Sequence, residues 1–524
     1  MNKVSLTILE TSDVHGSVMP INYGNNDYAN VGLAKISTLV TQERETNKHV
    51  LLIDNGDVIQ GTPLTYHYAK TSTTKINPMI KVLNELNYDA AIIGNHEFNY
   101  GMELLNDAVK QSNFPWLSSN IINKSNGKPY FGKPYIVKEY DGVKVVVLGV
   151  TTHYIPNWEN PTHIVGLSFD DALQTTKEWV ENIKLVEKPD LLVVSYHGGF
   201  EYDLYNGEPT EVLTGENQAY EMCRQIKGID VLLTGHQHRT IAQSTVSDVL
   251  VVQPGVNGQY LGKVTITFEK EAGKWNLITK ETELLSVEGI EEDEAVVQSV
   301  KEYEDATQKW LDQPMGTITG NMLVEDPMKI RTEDNPLIEF INKVQMDVSE
   351  TTISNTALFH NGSPGFPQHV TMRDIVSNYI YPNTLKVIEI SGQDIKDALE
   401  RCASYFLVGS NGELTVNPDF TTPKPQHYNY DMWEGINYIL DIRKPIGNRV
   451  VQLEKNGSPL EMNENYHVVM NNYRAGGGGD YNMYKGKKVV KDITLDMSEL
   501  IANYINRHKV IDATTNNNWR VIWK

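Results

Sequence analysis

Cysteine is nearly missing from this chain: its 524 residues include only Cys223 and Cys402. Two distant thiols exclude a disulfide framework and a cysteine-rich zinc site, and both are expected in the core. Long hydrophobic runs are missing too, since no stretch approaches the ~18 consecutive apolar residues of a membrane span. Positive charge is scarce, with 46 Lys and Arg against 67 Asp and Glu and a formal net charge of -21. Such a chain lacks the basic patches with which a general nucleic-acid binder displaces phosphate counterions, so no duplex partner is expected. The same acidity opposes an anionic substrate, and a phosphate ester would need a local reversal of field such as bound divalent cations provide. The start, "MNKVSLTILETSDVHG", has no charged n-region followed by a long apolar h-region. The expectation is a cytoplasmic protein, or a secreted or cell-surface one already trimmed, and a monomer or weak dimer.

At this length a single core is exceeded, so two or more domains are expected. Residues 1–290 carry short apolar runs that each end in polar or glycine-rich turns: "VSLTILETSDVHG", "VLLIDNGDVIQG", "AAIIGNHEFNYG", "VKVVVLGVTTH", "LLVVSYHGG", "VLLTGHQH" and "VVQPGVNG". Stretches of helical spacing separate several of them, as at Ile80, Val82, Leu83 and Leu86. Buried strands alternating with helices predict an α/β layered domain with ligands at the carboxyl ends of the strands. Residues 291–315 form an acidic segment whose Val296, Val300, Tyr303 and Trp310 predict a connector helix with one buried stripe. The pattern then restarts, and residues 316–524 predict a second α/β domain in which Ile395, Ala398, Leu399 and Cys402 share one helix face.

Five polar clusters follow the apolar runs of the first half: Asp13 and His15 in "DVH", Asp57 in "NGDVIQG", Asn95 and His96 in "GNHE", His197 in "SYHGG", and His236 and His238 in "GHQH". One such pair is ordinarily a satisfied structural pair; five at successive strand ends point to metal. On continued strand geometry, Asp13 and His15 would face one ion, as would His236 and His238. Imidazole with carboxylate and amide oxygen suits Mn, Fe, Zn or Co better than an all-oxygen Mg or Ca site. Without His96, the seven candidate ligands are too many for one tetrahedral ion and suit two ions sharing a carboxylate, for which Asp57 is the choice. Two such ions can bind phosphoryl oxygens and activate a water at neutral pH. His49, His67, His163, His369, His467 and His508 lack that context and read as ordinary.

Together "DVH", "GDVIQG", "GNHEFNYG", "YHGG" and "GHQH" resemble the signature of the calcineurin-like metallophosphoesterases, in the order that superfamily uses. Downstream, "VTMRDIVSNYIYPNTLKVIEISG" and "NNYRAGGGG" resemble the C-terminal domain of the 5′-nucleotidase family, closest to its bacterial 2′,3′-cyclic-nucleotide 2′-phosphodiesterase/3′-nucleotidase branch. The resemblance implies a four-layer α/β/β/α metallophosphoesterase sandwich and a second α/β nucleotide-binding domain joined by a helix. It implies one ion held by Asp13, His15, Asp57 and His238, and another by Asp57, Asn95, His197 and His236. His96 then faces the phosphoryl group, stabilising charge or protonating the leaving oxygen. Many 5′-nucleotidases place Asp three residues after that His; here Asn99 stands instead, able to orient the ring but not to offer a carboxylate's charge. Glu97 is expected to support the site rather than react.

In the second half, "QHYNYDMWEGINY" and "NNYRAGGGGDY" offer aromatic faces for a base, where stacking is worth about 1–3 kcal/mol. The resemblance points to Tyr428 and Tyr473 as the sandwiching rings, Tyr430 as runner-up for the first, and Asp480 as a polar contact. Four successive glycines suggest close backbone approach to a ligand. Arg373 and Arg474 read either as phosphate or ribose contacts or as structural. The segment "NTALFHNGSPGFPQHV" lacks the Arg with which the 5′-nucleotidase branch grips phosphate, leaving Asn355, Asn361 and Ser363 as neutral contacts. The leading expectation is hydrolysis of nucleoside 2′,3′-cyclic phosphates to 3′-nucleotides and then to nucleosides. The alternatives are a 5′-nucleotidase or nucleotide-sugar hydrolase, and a non-catalytic binding protein on the same scaffold. With metals on one domain and base contacts on the other, catalysis would require the domains to close around the nucleotide.

Overall fold

A computed structural model describes residues 3–71, 75–211, 213–381, 383–422, 424–493 and 495–524. The chain divides into two compact units, one ending at Thr307 and one spanning Gln308–Lys524. A helix, Glu294–Leu311, runs across that division.

In the N-terminal unit the β-branched runs become strands β1 Lys3–Thr11, β2 Val50–Asp54, β3 Ala90–Ile92 and β4 Trp116–Leu117. Further along lie β5 Tyr135–Tyr140, β6 Val143–Thr151, β7 Leu191–His197 and β8 Val231–Thr234. The unit's main strands end with β9 Thr240–Val246, β10 Val249–Pro254, β11 Tyr260–Glu271 and β12 Lys274–Ser286. Two six-stranded sheets result, ordered β12-β11-β1-β2-β3-β4 and β9-β10-β8-β7-β6-β5. The strands β1 to β4 are mutually parallel, as are β6, β7, β8 and β10, so their carboxyl ends gather at one edge of each sheet. Buried on both faces, these strands read as continuous apolar runs rather than alternating ones.

The two sheets pack face to face through Leu6, Ile8, Leu51 and Ile53 of one and Val145, Val147, Val193 and Leu233 of the other. On the outer face of the second sheet, Val146, Leu148, Leu192 and Val194 meet Val180 and Ile183 of helix α1, Ala172–Val186, and Met222 and Cys223 of helix α2, Ala219–Gln225. The helix predicted around Ile80 spans Pro78–Glu85, with Asn77 accepting from the backbone N–H groups of Met79 and Ile80 at its start. The fold is the layered α/β type that the sequence pattern predicts, and its two stacked sheets match the sandwich that the family resemblance implies.

The C-terminal unit is built on a five-stranded sheet in which Leu385–Ser391 pairs with Asn465–Asn471 and Lys488–Ile493, and Ser354–Ala357 pairs with Asp431–Glu434. Helices Pro336–Ser349 and Gly392–Ala403 pack onto its core through Leu337, Ile341, Val344, Ile395 and Leu399. Among the described residues no helix is long and apolar enough to cross a membrane.

Candidate active site

Each of five parallel strands delivers polar side chains just past its carboxyl end: Asp13 and His15 after β1, Asp57 after β2, Asn95 and His96 after β3, His197 as the last residue of β7, and His236 and His238 after β8. The expectation of continued strand geometry is corrected here. Asp13, His15, Asp57, His236 and His238 all have left-handed backbone, with φ between 50° and 68°. Non-glycine residues adopt that region seldom and at a cost, and such strain concentrates at functional sites. The consequence is that His236 and His238 do not face one point: one imidazole joins Asp57 and His197, the other joins Asp13 and His15. In each of these two groups the donor atoms lie within 4.8 Å of one another.

The loop after β2 is held by Glu97, which is fully buried and accepts from four backbone N–H groups: Asp57 at 2.8 Å, Gly94 at 2.7 Å, Val58 at 2.7 Å and Ile59 at 3.3 Å. Asp57 is thereby fixed through its own backbone, and its Oδ1 accepts from the N–H of His96 at 2.7 Å. Position 94 must be glycine, because a Cβ there would sit 2.4 Å from Asp57 Oδ1.

The outer nitrogens of three imidazoles are already committed. His197 Nδ1 donates to the Asn55 carbonyl at 2.7 Å, His15 Nδ1 to the Gln60 carbonyl at 3.2 Å, and His236 Nε2 to Glu216 Oε1 at 2.8 Å. Each inner nitrogen then points a lone pair at other acceptors. His197 Nε2 lies 3.1 Å from both Asp57 Oδ2 and Asn95 Oδ1, His236 Nδ1 lies 2.8 Å from Asn95 Oδ1, and the Nε2 atoms of His15 and His238 are 3.1 Å apart. Where His197 Nε2 meets the Asp57 carboxylate and His236 Nδ1 meets Asn95 Oδ1, lone pairs converge on lone pairs and demand a proton or a cation between them, and imidazoles backed by carbonyl or carboxylate acceptors are the usual arrangement around a metal. The donor set therefore fits divalent metal.

Electrostatics without an ion show the same demand. Burial, then the neighbouring His96, pushes His15 down to about 3. Burial works against charge on His197, but the Asp57 carboxylate beside it lifts that imidazole to about 10. Burial also works against charge on Asp57, yet His197 and His96 hold it well below the ordinary carboxylate range.

His96 stands at the edge of this cluster, its ring centroid 5.1 Å from that of His15. Its Nδ1 lies 2.7 Å from Asn99 Oδ1, and Asn99 Nδ2 donates at 2.7 Å to Glu159 Oε2. Glu159 Oε1 in turn accepts from the N–H of Asn160 at 2.7 Å and faces His163 Nδ1 at 2.9 Å. Next to it, Trp158 stacks on His236 with centroids 5.3 Å apart. Sequence reading missed Glu159, Trp158 and Glu216, and His163, read there as ordinary, belongs to the same loop as Glu159; neither "NWENPTH" nor "LTGENQ", which holds Glu216, carries a strand-end signal that could have revealed them.

In the C-terminal unit, Tyr428 and Tyr473 meet edge to face with centroids 6.2 Å apart, and Tyr381 continues the row at 5.9 Å from Tyr428. Tyr430 is fully buried and donates to the Arg331 carbonyl, so the runner-up ring is core. Asp480 pairs with Arg401 at 3.2 Å, and Arg373 with Asp312 at 2.6 Å. Arg474 is fully buried and bound to Asp431, which decides for its structural reading. The glycine run approaches protein rather than open space: a Cβ on Gly478 would lie 2.5 Å from the Tyr473 ring. Of the neutral contacts, Ser363 donates to Asn378 and Asn361 accepts from Arg331, while Asn355 is buried.

Comparison with known proteins agrees with this geometry. A calcineurin-like phosphoesterase profile matches residues 6–240, and a 5′-nucleotidase C-terminal domain profile matches residues 314–486. A Staphylococcus aureus protein solved as a candidate 5′-nucleotidase shares 35% identity with a TM-score of 0.91, covering 99% of this chain and 100% of that one. A 2′,3′-cyclic-nucleotide 2′-phosphodiesterase/3′-nucleotidase of Salmonella typhimurium is 29% identical over 91% of this chain and 82% of its own length. The trifunctional nucleotide phosphoesterase YfkN of Bacillus subtilis is 26% identical over 99% of this chain, which spans 39% of that protein. The chain belongs to the calcineurin-like phosphoesterases that carry a 5′-nucleotidase C-terminal domain.

Proposed function

We propose that the protein is a dimetal phosphohydrolase that opens nucleoside 2′,3′-cyclic phosphates to 3′-nucleotides and then hydrolyses these to nucleosides. The observation that carries the dimetal reading is the convergence of inner imidazole nitrogens on oxygen and nitrogen acceptors in two adjacent groups. Asp13, His15, Asp57 and His238 hold one ion; Asp57, Asn95, His197 and His236 hold the other. Asp57 is the shared ligand, consistent with its electrostatic coupling to both His15 and His197. Bound there, divalent ions of the Mn, Zn, Fe or Co type supply Lewis acidity toward phosphoryl oxygens and a nucleophilic water at neutral pH.

The chain's own side chains do the remainder. His96, carrying a proton on Nδ1 toward Asn99, presents Nε2 to the phosphoryl group and delivers a proton to the departing sugar oxygen. Tyr428 and Tyr473 bind the base. At their present angle the rings touch one another, so a base entering between them turns one ring. Asp480, paired with Arg401, supplies the polar contact. Preference for the cyclic and 3′ phosphates is supported by the Salmonella relative and by the absence of Arg from the segment 355–370.

Turnover of 2′,3′-cyclic AMP, 3′-AMP, 5′-AMP and UDP-glucose with added Mn is the test. Activity on the first two exceeding that on the others is expected, and none on the first two overturns the substrate assignment. The candidate 5′-nucleotidase relative makes 5′-AMP the competitor to watch.

A further inference from the structure

A carboxylate does stand behind His96, one residue further out than a His–Asp dyad would put it. Glu159, its side chain only 6% exposed, accepts from Asn99 Nδ2, and Asn99 Oδ1 meets His96 Nδ1, both at 2.7 Å. We propose that Glu159 is the positioning residue of the general acid, fixing the amide of Asn99 and, through it, the ring tautomer of His96. The proposal rests on the phosphohydrolase reading above.

The argument is one of donors and acceptors. A carboxylate can only accept, so the amide of Asn99 must turn its NH2 toward Glu159. Its Oδ1 is then left facing His96, and that atom can only accept as well. His96 Nδ1 must therefore carry a hydrogen, which leaves Nε2, on the other side of the ring from Asn99, as the nitrogen that takes up a proton from water and passes it to the leaving oxygen. Without Glu159 the amide is free to turn over and present NH2 to the ring, which would select the opposite tautomer. The negative charge also polarises the amide, and hydrogen bonds in a chain strengthen one another. Glu159 has its own supports in the Asn160 N–H and His163 Nδ1, so the loop 157–163 is built to hold it.

The same geometry changes the meaning of Asn99. An Asp at position 99 would set two carboxylates face to face, like charges sharing one site. In this chain Asn at 99 and Glu at 159 are complementary, and the charge of the dyad has moved outward by one hydrogen bond.

The test uses the metal-loaded full chain with p-nitrophenyl phosphate, whose phenol leaves without help, and glycerol 2-phosphate, whose secondary alcohol needs a proton. Glu159→Gln is expected to lower kcat on the alkyl ester about tenfold or more while changing the aryl ester less than about twofold and leaving both KM values unchanged. Asn99→Asp should impair alkyl turnover as well, and Asn99→Asp combined with Glu159→Gln should restore it to within about threefold of the parent, because Gln can donate to the new Asp. Equal losses on both esters, no loss on either, or no recovery in the double variant would overturn the proposal. These esters carry no base, so failure of the nucleotide assignment shows up separately in the substrate panel. Independently of turnover, 15N shifts of the His96 ring should report hydrogen on Nδ1 in the parent; hydrogen on Nε2 alone would overturn it too.

Discussion

Substituting Arg474 with Met separates two roles that its sequence context leaves open. Its side chain and that of Asp431 are 0% and 1% exposed, and they are joined at 2.7 Å. The guanidinium also donates to the Tyr428 carbonyl at 2.8 Å and to the Gly478 carbonyl, and lies 3.9 Å from the Tyr481 ring centroid. Removing one partner of such a pair leaves an uncompensated buried charge, at about 3–5 kcal/mol. For a domain of this size each kcal/mol moves the melting midpoint by about 2–4 °C, so a fall of roughly 6–20 °C is expected. Burial already raises Asp431, and losing Arg474 drives that carboxyl further toward its neutral form. Calorimetry on the full chain should show the loss in the transition of the C-terminal unit. Replacing both residues, Arg474→Met with Asp431→Leu, should recover most of it, because apolar pairs substitute well for buried ion pairs. A fall below about 2 °C accompanied by a large rise in nucleotide KM would refute this reasoning and make Arg474 a ligand contact.

Glu216→Gln should weaken metal at the Asp57, His197 and His236 group by about 10- to 100-fold, read by chelator competition, while the Asp13, His15 and His238 group keeps its affinity. Chelation should abolish phosphoesterase activity and lower the melting midpoint of the N-terminal unit, and added Mn or Zn should restore both; unchanged activity after verified metal removal would count against the dimetal reading. In the C-terminal unit, burial first and then the Asp334 and Glu339 carboxylates lift Glu434 to about 7, against Asn516 and Lys343, which favour its charge. A carboxyl raised on folding stabilises below the ordinary carboxylate range and loses that contribution as pH climbs through about 7. Melting curves between about pH 5 and 8 should therefore fall less steeply for Glu434→Gln than for the parent, and parallel curves would reject the assignment.

Much of the site is legible along the chain because each candidate ligand lies within six residues of the end of an apolar run, and strands of a parallel sheet end on one side. Asp13, His15, Asp57, Asn95, His197, His236 and His238 could be named on that ground. Their grouping into ions could not be read from strand periodicity, because the backbone turns left-handed at five of them, Asp13, His15, Asp57, His236 and His238, and the two-residue period no longer applies. Family likeness implied the grouping instead, and the two clusters Asp13, His15, His238 and Asp57, His197, His236 are compatible with it. The glycine run shows a different limit: its signal of close approach is real, and the structure identifies the ring of Tyr473 as a group that approaches it.

The sequence by itself determined the layered α/β units, the residue types at the strand ends, and the missing carboxylate at position 99, since all three are properties of local pattern. Only the tertiary structure decided which side chains back them up. Glu159 lies 60 residues from Asn99, and His238 lies 223 from His15. Local periodicity fixes the face on which a side chain emerges; which distant loop meets that face depends on how the sheets and their connections pack.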